Sequence, residues 1–342
     1  MQTEVTVFLG AGASIPFGLP GTKRFIEEVE VDLKRHSQRI HQIRETVRNF
    51  GLNDDVESLL SVLNFWENPS RTIYESGSFI AEIANAPIHR FKRNKKDAII
   101  ARRVKEYIVK RCFVYDADVI SSIMKVYVPF FEGIHNKFNL PECNPRGRNP
   151  CPEIDIFTTN YDNTIEIYGT RNGTPVCDGY GPYFGSSYCF DPKNYVRAQD
   201  GVRLHKLHGT VTYARLEDNS IERLNFFPRR GPLIINGNLA FPDLIYPGIN
   251  ACLAKEPYLE LLYNLKRTLT ESKICIVIGY SFPDPHIRHI FQDTLQKNHT
   301  LKIFLVSRNP DKIIKEKKLS TKVFIPVSKR FEDLNVERDI VV

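Results

Sequence analysis

The sequence predicts an α/β fold built on a mostly parallel sheet, with helices on both faces and a helical insertion. Three observations predict it. Short β-branched and apolar runs alternate with helical patterns, which is typical of a parallel sheet covered on both faces. The 342 residues are 42% hydrophobic and 25% charged, as in globular proteins. A long block of helical patterns, with no alternating strand inside it, separates the first two strand-like runs.

The first strand-like run, residues 5–9, is β-branched and apolar and ends in a glycine-rich turn. A helix is predicted over residues 22–34, where apolar residues recur at helical spacing. Two aspartates open the apolar helical stripe of residues 54–63 as good N-caps. Helical patterns continue to about Ile134, and residues 141–152, which are rich in Pro, Asn and Arg, are predicted to form a loop.

Strand and helix signals alternate in the second half of the chain. The predicted strands are residues 154–158, 202–207, 274–278, 301–306 and 323–327. The predicted helices between them are residues 258–269, 287–296 and 310–317. The chain is therefore expected to divide into an α/β domain of residues 1–36 and 151–328, an inserted helical subdomain of residues 37–150 and a short charged tail of residues 329–342.

Composition also limits the classes of protein to which the chain can belong. Its longest apolar stretches have about five residues, whereas a membrane helix needs about 20. The N-terminus has neither the basic nor the apolar region of a secretory signal. The 7 cysteines include no CxxC pair, which favours reduced thiols in a cytosol over disulfides or a four-cysteine zinc site. We expect a soluble, cytoplasmic protein that uses no metal.

The net charge of +7 is unevenly distributed. From Arg90 to Arg111 the sequence has ten lysines and arginines but only two acidic residues, Asp97 and Glu106. A solvated helical face is the favoured interpretation of this run. A contact surface for nucleic acid or an acidic partner is the alternative, although aromatic residues are not interleaved through the run as a stacking platform requires.

A glycine-rich turn, Gly10-Ala11-Gly12-Ala13-Ser14, follows the first predicted strand. A strand, such a turn and a helix together are typical of α/β sheets that bind a pyrophosphate. Glycines permit close approach of the backbone, and a helix N-terminus favours anionic oxygen. Position 15 is Ile, so the third glycine of the dehydrogenase fingerprint is absent. The turn slightly favours nucleotide binding over a plain tight turn.

Polar residues follow the next two predicted strands. Asn160 and Asp162 could hold a ribose hydroxyl, a carboxamide or a water, or could form a turn that caps a helix starting near Asn163. His208 precedes a glycine at a strand end, where we expect it to be exposed and able to act as a general base. A structural histidine is the alternative there, and His205, which lies within the strand, is the more structural of the two.

Two further strand ends carry polar residues. The backbone amides of residues 279–284 and the Ser281 hydroxyl suit phosphate contacts, while Asp284 is expected to cap the next helix. Ser307, Arg308 and Asn309 follow the strand after that one. Because the carboxyl ends of parallel strands share one edge of a sheet, the joint pattern predicts a ligand site there.

The order of these motifs, GAGAS, GLP, TTNYD, LHG, GYSFxD and SRN, resembles the sirtuin-like superfamily. It is most similar to the bacterial branch found in anti-phage defence proteins. The motifs cover roughly residues 5–22 and 154–310, and the helical insertion carries none. The resemblance implies a Rossmann-type NAD site and cleavage of the nicotinamide–ribose bond. The expected activity is therefore NAD hydrolysis to nicotinamide and ADP-ribose, with NAD depletion as the defence.

The same resemblance implies roles for individual residues. Asn160 would orient the ribose or the water, Asp162 would bind the carboxamide or offset positive charge, and His208 would be the general base. The implied NAD-binding residues are Gly10, Ala11, Gly12, Ser14, Thr159, Gly279, Ser281 and Asn309.

Two departures from the family pattern disfavour lysine deacylation. After Gly18-Leu19-Pro20 this chain has Gly21-Thr22-Lys23 where deacylases have Asp-Phe-Arg, and it lacks the two CxxC pairs of their structural zinc. A non-catalytic NAD- or ADP-ribose-binding module of a defence complex stays open as an alternative, and a deacylase is the less favoured one.

Unrestrained NAD hydrolysis would harm the host cell, so the activity should be controlled. Only the short tail follows residue 328, so we expect no fused sensor domain. The resemblance implies a homo-oligomer and, as a further partner, a HerA-type ring ATPase; nucleic acid would be contacted only indirectly. The basic run at residues 90–111 is a candidate docking face for such a partner.

Overall fold

A computed structural model describes residues 5–49, 54–67, 95–140, 154–181, 190–197, 201–216, 221–223, 233–235, 238–244 and 256–341 of the chain. Within these ranges the strands form a seven-stranded and a four-stranded sheet. In chain order they are β1 (Val5–Leu9), β2 (Ile154–Thr158), β3 (Val176–Cys177), β4 (Val202–Lys206), β5 (Gly209–Arg215), β6 (Ile221–Arg223), β7 (Leu233–Ile235), β8 (Asn238–Leu244), β9 (Ile274–Ile278), β10 (Lys302–Ser307) and β11 (Phe324–Ser328).

Eleven α-helices lie in the described ranges. They are α1 (Thr22–Asp32), α2 (Ser37–Asn49), α3 (Val56–Glu67), α4 (Lys95–Cys112), α5 (Ala117–Lys137), α6 (Thr164–Asn172), α7 (Lys193–Arg197), α8 (Tyr258–Glu271), α9 (Pro285–Lys297), α10 (Pro310–Glu316) and α11 (Val336–Asp339). The glycine-rich turn leads into a short 3-10 helix, Ala11–Phe17, rather than directly into α1. The predicted loop at residues 141–152 lies outside the described residues.

The larger sheet is parallel throughout and has the strand order β11-β10-β9-β1-β2-β4-β3. The predicted α/β fold with a mostly parallel sheet is confirmed. From β1 the chain builds outward through β2 and β4 on one side and later through β9 to β11 on the other. The direction therefore reverses between β1 and β9, and open α/β sheets bind their ligands beside such a reversal, at the carboxyl ends of the strands.

Hydrophobic cores cover both faces of the larger sheet, which is why its strands are continuous apolar runs. On one face Val7 and Ile276 pack with Tyr127 of α5 and Ile165 of α6. On the other face the core consists of residues from the sheet and from α8, α9 and α10, including Phe8, Phe157, Val277, Leu265, Phe291 and Ile314. The sheet is thus a buried layer between two helical layers.

A third core joins helices α1 to α4. It contains Phe25, Ile43, Leu60 and Val104, and it reaches Tyr161 in the turn after β2. Helix α5, by contrast, packs on the sheet. The described helices of the predicted insertion therefore contribute to two different cores, and the boundaries of the insertion stay a prediction.

Two parts of the fold had not been predicted. The antiparallel sheet β6-β5-β8-β7 lies between the predicted strand of residues 202–207 and the predicted helix of residues 258–269, where no strand had been expected. Two of its strands have only 3 residues, too few for a visible alternation. The segment after β11, expected only as a charged tail, packs into the sheet core through Phe331, Val336 and Ile340. The apolar residues of this segment are scattered among charged ones, so they show neither helical nor strand periodicity clearly.

Candidate functional site

The parallel topology brings the predicted site residues to one edge of the larger sheet. The five adjacent strands β10, β9, β1, β2 and β4 end at this edge. In that order, the residues after their carboxyl ends include Asn309 (β10), Gly279 and Ser281 (β9), Gly10–Ser14 (β1), Thr159–Asp162 (β2) and His208 (β4). Convergence at one edge, as the motif order predicted, follows directly from this strand order.

The turn after β1 and the turn after β2 are joined by side chains. Ser14 donates a hydrogen bond from Oγ to Oδ2 of Asp162 at 2.7 Å. The Asn160 Nδ2 group donates to the Gly10 carbonyl at 2.9 Å and to Ser14 Oγ at 3.0 Å. Asn160, Ser14 and Asp162 therefore form one hydrogen-bonded chain, in which each side chain fixes the orientation of the next.

Both carboxylate oxygens of Asp162 are occupied within the protein. While Oδ2 accepts from Ser14, Oδ1 accepts from the Thr164 hydroxyl at 2.6 Å and from its backbone N–H at 3.2 Å. The side chain is buried, with 5% exposure. A carboxylate held in this way keeps its charge at a fixed place but has few lone pairs left for a ligand.

Lys206 holds the backbone of Asp162 in place, a role that had not been predicted for it. It is 2% exposed, its Nζ donates to the Asp162 carbonyl, and it lies 3.3 Å from Glu166 Oε1. Burial raises the pKa of the Glu166 carboxyl, while the charge of Lys206 opposes that rise. A lysine between His205 and Leu207 in a predicted buried strand was the available signal.

Asn160 retains one unsatisfied polar atom. Its Oδ1 is buried and has no hydrogen-bond partner among the described residues, although its Nδ2 has two. Because an unpaired buried acceptor costs about 1–3 kcal/mol, such an atom is typical of a site that a ligand completes. The residues present therefore suit a ligand that carries hydroxyl or amide donors.

His208 is buried, with 3% exposure, so the expectation that it would be exposed is wrong. The reason is that β5 starts at Gly209, directly after the histidine, and is covered there by β8, whose Leu244 pairs with Gly209. Gly209 has φ +77°, and a Cβ there would lie 2.0 Å from the Asp243 carbonyl oxygen. The histidine Nε2 lies 3.0 Å from Asp284 Oδ2, and Nδ1 has no partner among the described residues.

The two carboxylate oxygens of Asp284 have different partners. As predicted, it caps helix α9, because its Oδ1 accepts from the backbone N–H groups of His286 at 2.8 Å and Ile287 at 3.4 Å. Its other oxygen faces His208, which no local pattern had indicated. Burial alone would raise the pKa of Asp284, but the hydrogen bonds from His208 and the His286 amide hold it below its ordinary value.

His205 is structural, as its position within the strand had indicated. Its ring stacks between Phe157 at 4.2 Å and Tyr195 at 4.3 Å, measured between ring centroids. Its Nε2 lies 3.1 Å from Oδ1 of Asp155, which also binds Arg203. Burial lowers the pKa of His205, although Asp155 opposes this effect.

The glycines of the two loops beside the chain reversal allow those loops to touch. The Gly12 N–H donates to the Gly279 carbonyl at 2.9 Å. Gly279 has φ +62°, and a Cβ there would lie 2.3 Å from the Ala13 nitrogen. Ser281 and Asn309 are exposed at the same edge, and Thr159 is half-buried. Their phosphate and ribose contacts stay predictions.

Residues 155–328 match the SIR2-like domain family, from within β2 to the end of β11. The chain belongs to this family. The match is about half of the chain and includes four of the five strand ends that build the site. The glycine-rich turn after β1 lies outside it.

Solved structures with similarity to this SIR2-like protein are distant. A Sir2 homologue in complex with NAD has 12% identity and a TM-score of 0.45, covering 96% of this chain and 85% of that one. A mutant Sir2 homologue with ADP-ribose has 11% identity and a TM-score of 0.45, covering 96% and 88%. Sir2Tm with a propionylated peptide has 12% identity and a TM-score of 0.35, covering 93% and 94%. No curated protein matches the sequence.

Two further findings concern the described part of this SIR2-like chain only. It contains no cluster of three or more His, Cys, Asp or Glu side chains that could hold a metal ion. None of its helices is both long enough and apolar enough to cross a membrane. Of the cysteines, Cys112, Cys177 and Cys275 are free thiols, and the other four lie outside the described residues.

Proposed function

We propose that this SIR2-like protein binds NAD at the carboxyl edge of its larger sheet and hydrolyses it to nicotinamide and ADP-ribose. One observation carries the proposal: Asn160 Oδ1 and His208 Nδ1 are buried and unpartnered among the described residues. They follow β2 and β4, which are adjacent and pair Thr158 with Lys206. An acceptor and a base thus occupy equivalent positions, each two residues beyond its strand.

The proposed reaction breaks the bond between ribose C1′ and the nicotinamide nitrogen, and the bonding electron pair leaves with nicotinamide. A water oxygen forms the new bond to C1′ and loses one proton to a base. The transition state resembles an oxocarbenium ion, so positive charge develops on the ribose. The site must therefore orient the ribose and water, stabilise that charge and accept the proton.

Asn160 is suited to orient the reactants. Its Nδ2 is committed to Gly10 and Ser14, so Oδ1 is the atom that can accept a hydrogen bond from a ribose hydroxyl or from water. Asp162 is suited to offset developing positive charge, because both of its oxygens already accept hydrogen bonds from Ser14 and Thr164. Of the two roles expected for Asp162, this arrangement favours charge over direct binding of the carboxamide.

His208 is suited to act as the base. Its Nε2 faces Asp284, so Nδ1 is the nitrogen that can accept a proton. Gly10, Ala11 and Gly12 together with Gly279 and Ser281 would receive the NAD phosphates beside the chain reversal, with Thr159 and Asn309 at the flanking strand ends.

The test is nicotinamide release from NAD by the purified wild type and two variants. We expect Asn160→Ala and His208→Ala each to lower kcat about 10²–10⁴-fold, the usual cost of losing one such group. The exposed His299 supplies a matched control, so His299→Ala should keep wild-type turnover. Full turnover by Asn160→Ala or His208→Ala would refute these assignments.

The cellular role that fits this activity is NAD depletion in anti-phage defence, which rests on the motif resemblance. A homo-oligomer or a HerA-type ATPase partner would then control the enzyme, since constant hydrolysis would harm the host. Cells that express the wild type should lose NAD on phage infection and produce fewer plaques than cells with His208→Ala. NAD binding without turnover, even in lysate from infected cells, would favour a regulatory binding module instead.

A further inference from the structure

We propose that Asp284 is the positioning residue of His208: it fixes the ring and its proton so that Nδ1 faces the reacting water or ribose hydroxyl. This inference rests on the proposed NAD hydrolysis, because it assigns the partner of the proposed base. The contact joins the loop after β9 to the turn after β4, across the ends of β1 and β2.

The Asp284 carboxylate is itself immobile. The side chain is 1% exposed. Its Oδ1 is held by the first turn of α9 through the N–H groups of His286 and Ile287, so Oδ2 is directed at the imidazole. The His208 ring is thereby attached to a helix of 13 residues that packs on the sheet core. Such an anchor limits rotation of the ring about its side-chain bonds.

The chemistry of the contact then determines where the imidazole proton lies. An ionised carboxylate can only accept hydrogen bonds, so the hydrogen between Asp284 Oδ2 and His208 belongs to Nε2. A neutral imidazole with its proton on Nε2 has its lone pair on Nδ1. That nitrogen is one of the two buried atoms at the site, with Asn160 Oδ1, that have no hydrogen-bond partner among the described residues.

During hydrolysis the water oxygen bonds to C1′ and its proton moves to Nδ1. His208 then carries protons on both nitrogens, and the adjacent carboxylate of Asp284 stabilises the imidazolium without taking up a proton. Loss of the Nδ1 proton to solvent restores the starting state. Over the cycle one NAD and one water give nicotinamide, ADP-ribose and one proton.

The decisive variant is Asp284→Asn, because helix capping dictates which of its atoms faces His208. The cap needs an oxygen acceptor at the Oδ1 position, so the amide nitrogen must face Nε2 and donate to it. The imidazole proton is then forced onto Nδ1. We expect kcat to fall about 10²–10⁴-fold with little change in KM for NAD.

The readout is the tautomer of His208, observed by ¹⁵N NMR of the imidazole nitrogens and assigned by its loss in His208→Gln. The wild type should show the Nε2–H form, and Asp284→Asn the Nδ1–H form. Asp284→Ser keeps a good capping oxygen but is too short to reach the ring, so it should also lose turnover while it retains the fold by circular dichroism. Asp293→Asn, in an exposed ion pair on the same helix, is the matched control and should behave as the wild type.

An Nδ1–H tautomer in the wild type, or wild-type kcat in Asp284→Asn, would overturn the inference. If the wild type turned over no NAD under any condition, the proposed function would fail instead. The spectrum would then still decide on its own whether Asp284 sets the proton of His208.

Discussion

Removing the buried ammonium group of Lys206 should destabilise the fold and release the backbone of Asp162 at the candidate site. The change Lys206→Met keeps an unbranched side chain of similar length and removes only the ammonium group. Two interactions are lost: the hydrogen bond from Nζ to the Asp162 carbonyl and the 3.3 Å ion pair with Glu166. Methionine replaces the buried stem, so no large cavity forms.

The magnitude follows from these two losses. A hydrogen bond from a charged donor contributes about 1.5–3 kcal/mol, and breaking a fully buried ion pair costs about 3–5 kcal/mol. The Glu166 side chain is 26% exposed, so water relieves part of the second cost. We expect the free energy of unfolding to fall by about 2–3 kcal/mol. NAD turnover should fall about tenfold or more, because the Asp162 backbone is no longer held.

Urea unfolding followed by circular dichroism measures the first effect, and nicotinamide release measures the second. The double variant Lys206→Met/Glu166→Gln should regain part of the stability, since no carboxylate is left without its cation. Lys302→Met removes an exposed lysine from strand β10 and should change stability by less than about 0.5 kcal/mol. A Lys206→Met protein as stable as this control would refute the reasoning.

Two other predictions test the loops and the sheet. Gly279→Ala should destabilise the protein by about 1–3 kcal/mol more than Gly18→Ala, and only Gly279→Ala should weaken NAD binding. Both glycines have positive φ, but a Cβ on Gly18 would meet nothing within 4 Å, whereas one on Gly279 would meet the backbone of Gly12 and Ala13. Equal losses in melting experiments would contradict this. Burial would raise the pKa of Asp155, but His205 and Arg203 hold it at about 2, below the unfolded value. The ionised carboxylate therefore stabilises the fold above about pH 4, and about 2 kcal/mol of its contribution to the free energy of unfolding is lost as the pH falls to about 2. Urea titrations at several pH values measure the free energy of unfolding of the wild type and of Asp155→Asn. The difference between the two should shrink as the pH falls, and a difference that stays constant would contradict the assignment.

The parallel sheet and the edge that carries the candidate site could be predicted because both have local signatures. Strand β9 was predicted at residues 274–278, where the structure places it, because a strand buried on both faces is a continuous apolar run. The candidate site residues could be assigned to one edge because each follows such a run, and parallel strands end at the same edge.

The missing features depend on contacts between distant parts of the chain. His208 and Asp284 are 76 positions apart, so neither the burial of the histidine nor its carboxylate partner has a local pattern. The role of Lys206 was missed because its partners, the Asp162 carbonyl and Glu166, follow a different strand. Two strands of the smaller sheet have only 3 residues, and the pairing of β5 with β8 is irregular, so alternation is hard to see there.

The most direct test of the central claim is to supply the purified protein with NAD and no acylated peptide and to quantify both products. The account predicts nicotinamide and ADP-ribose in equal amounts, with release abolished in Asn160→Ala. Nicotinamide release only when an acetyl-lysine peptide is added, together with O-acetyl-ADP-ribose, would contradict hydrolysis and identify a deacylase.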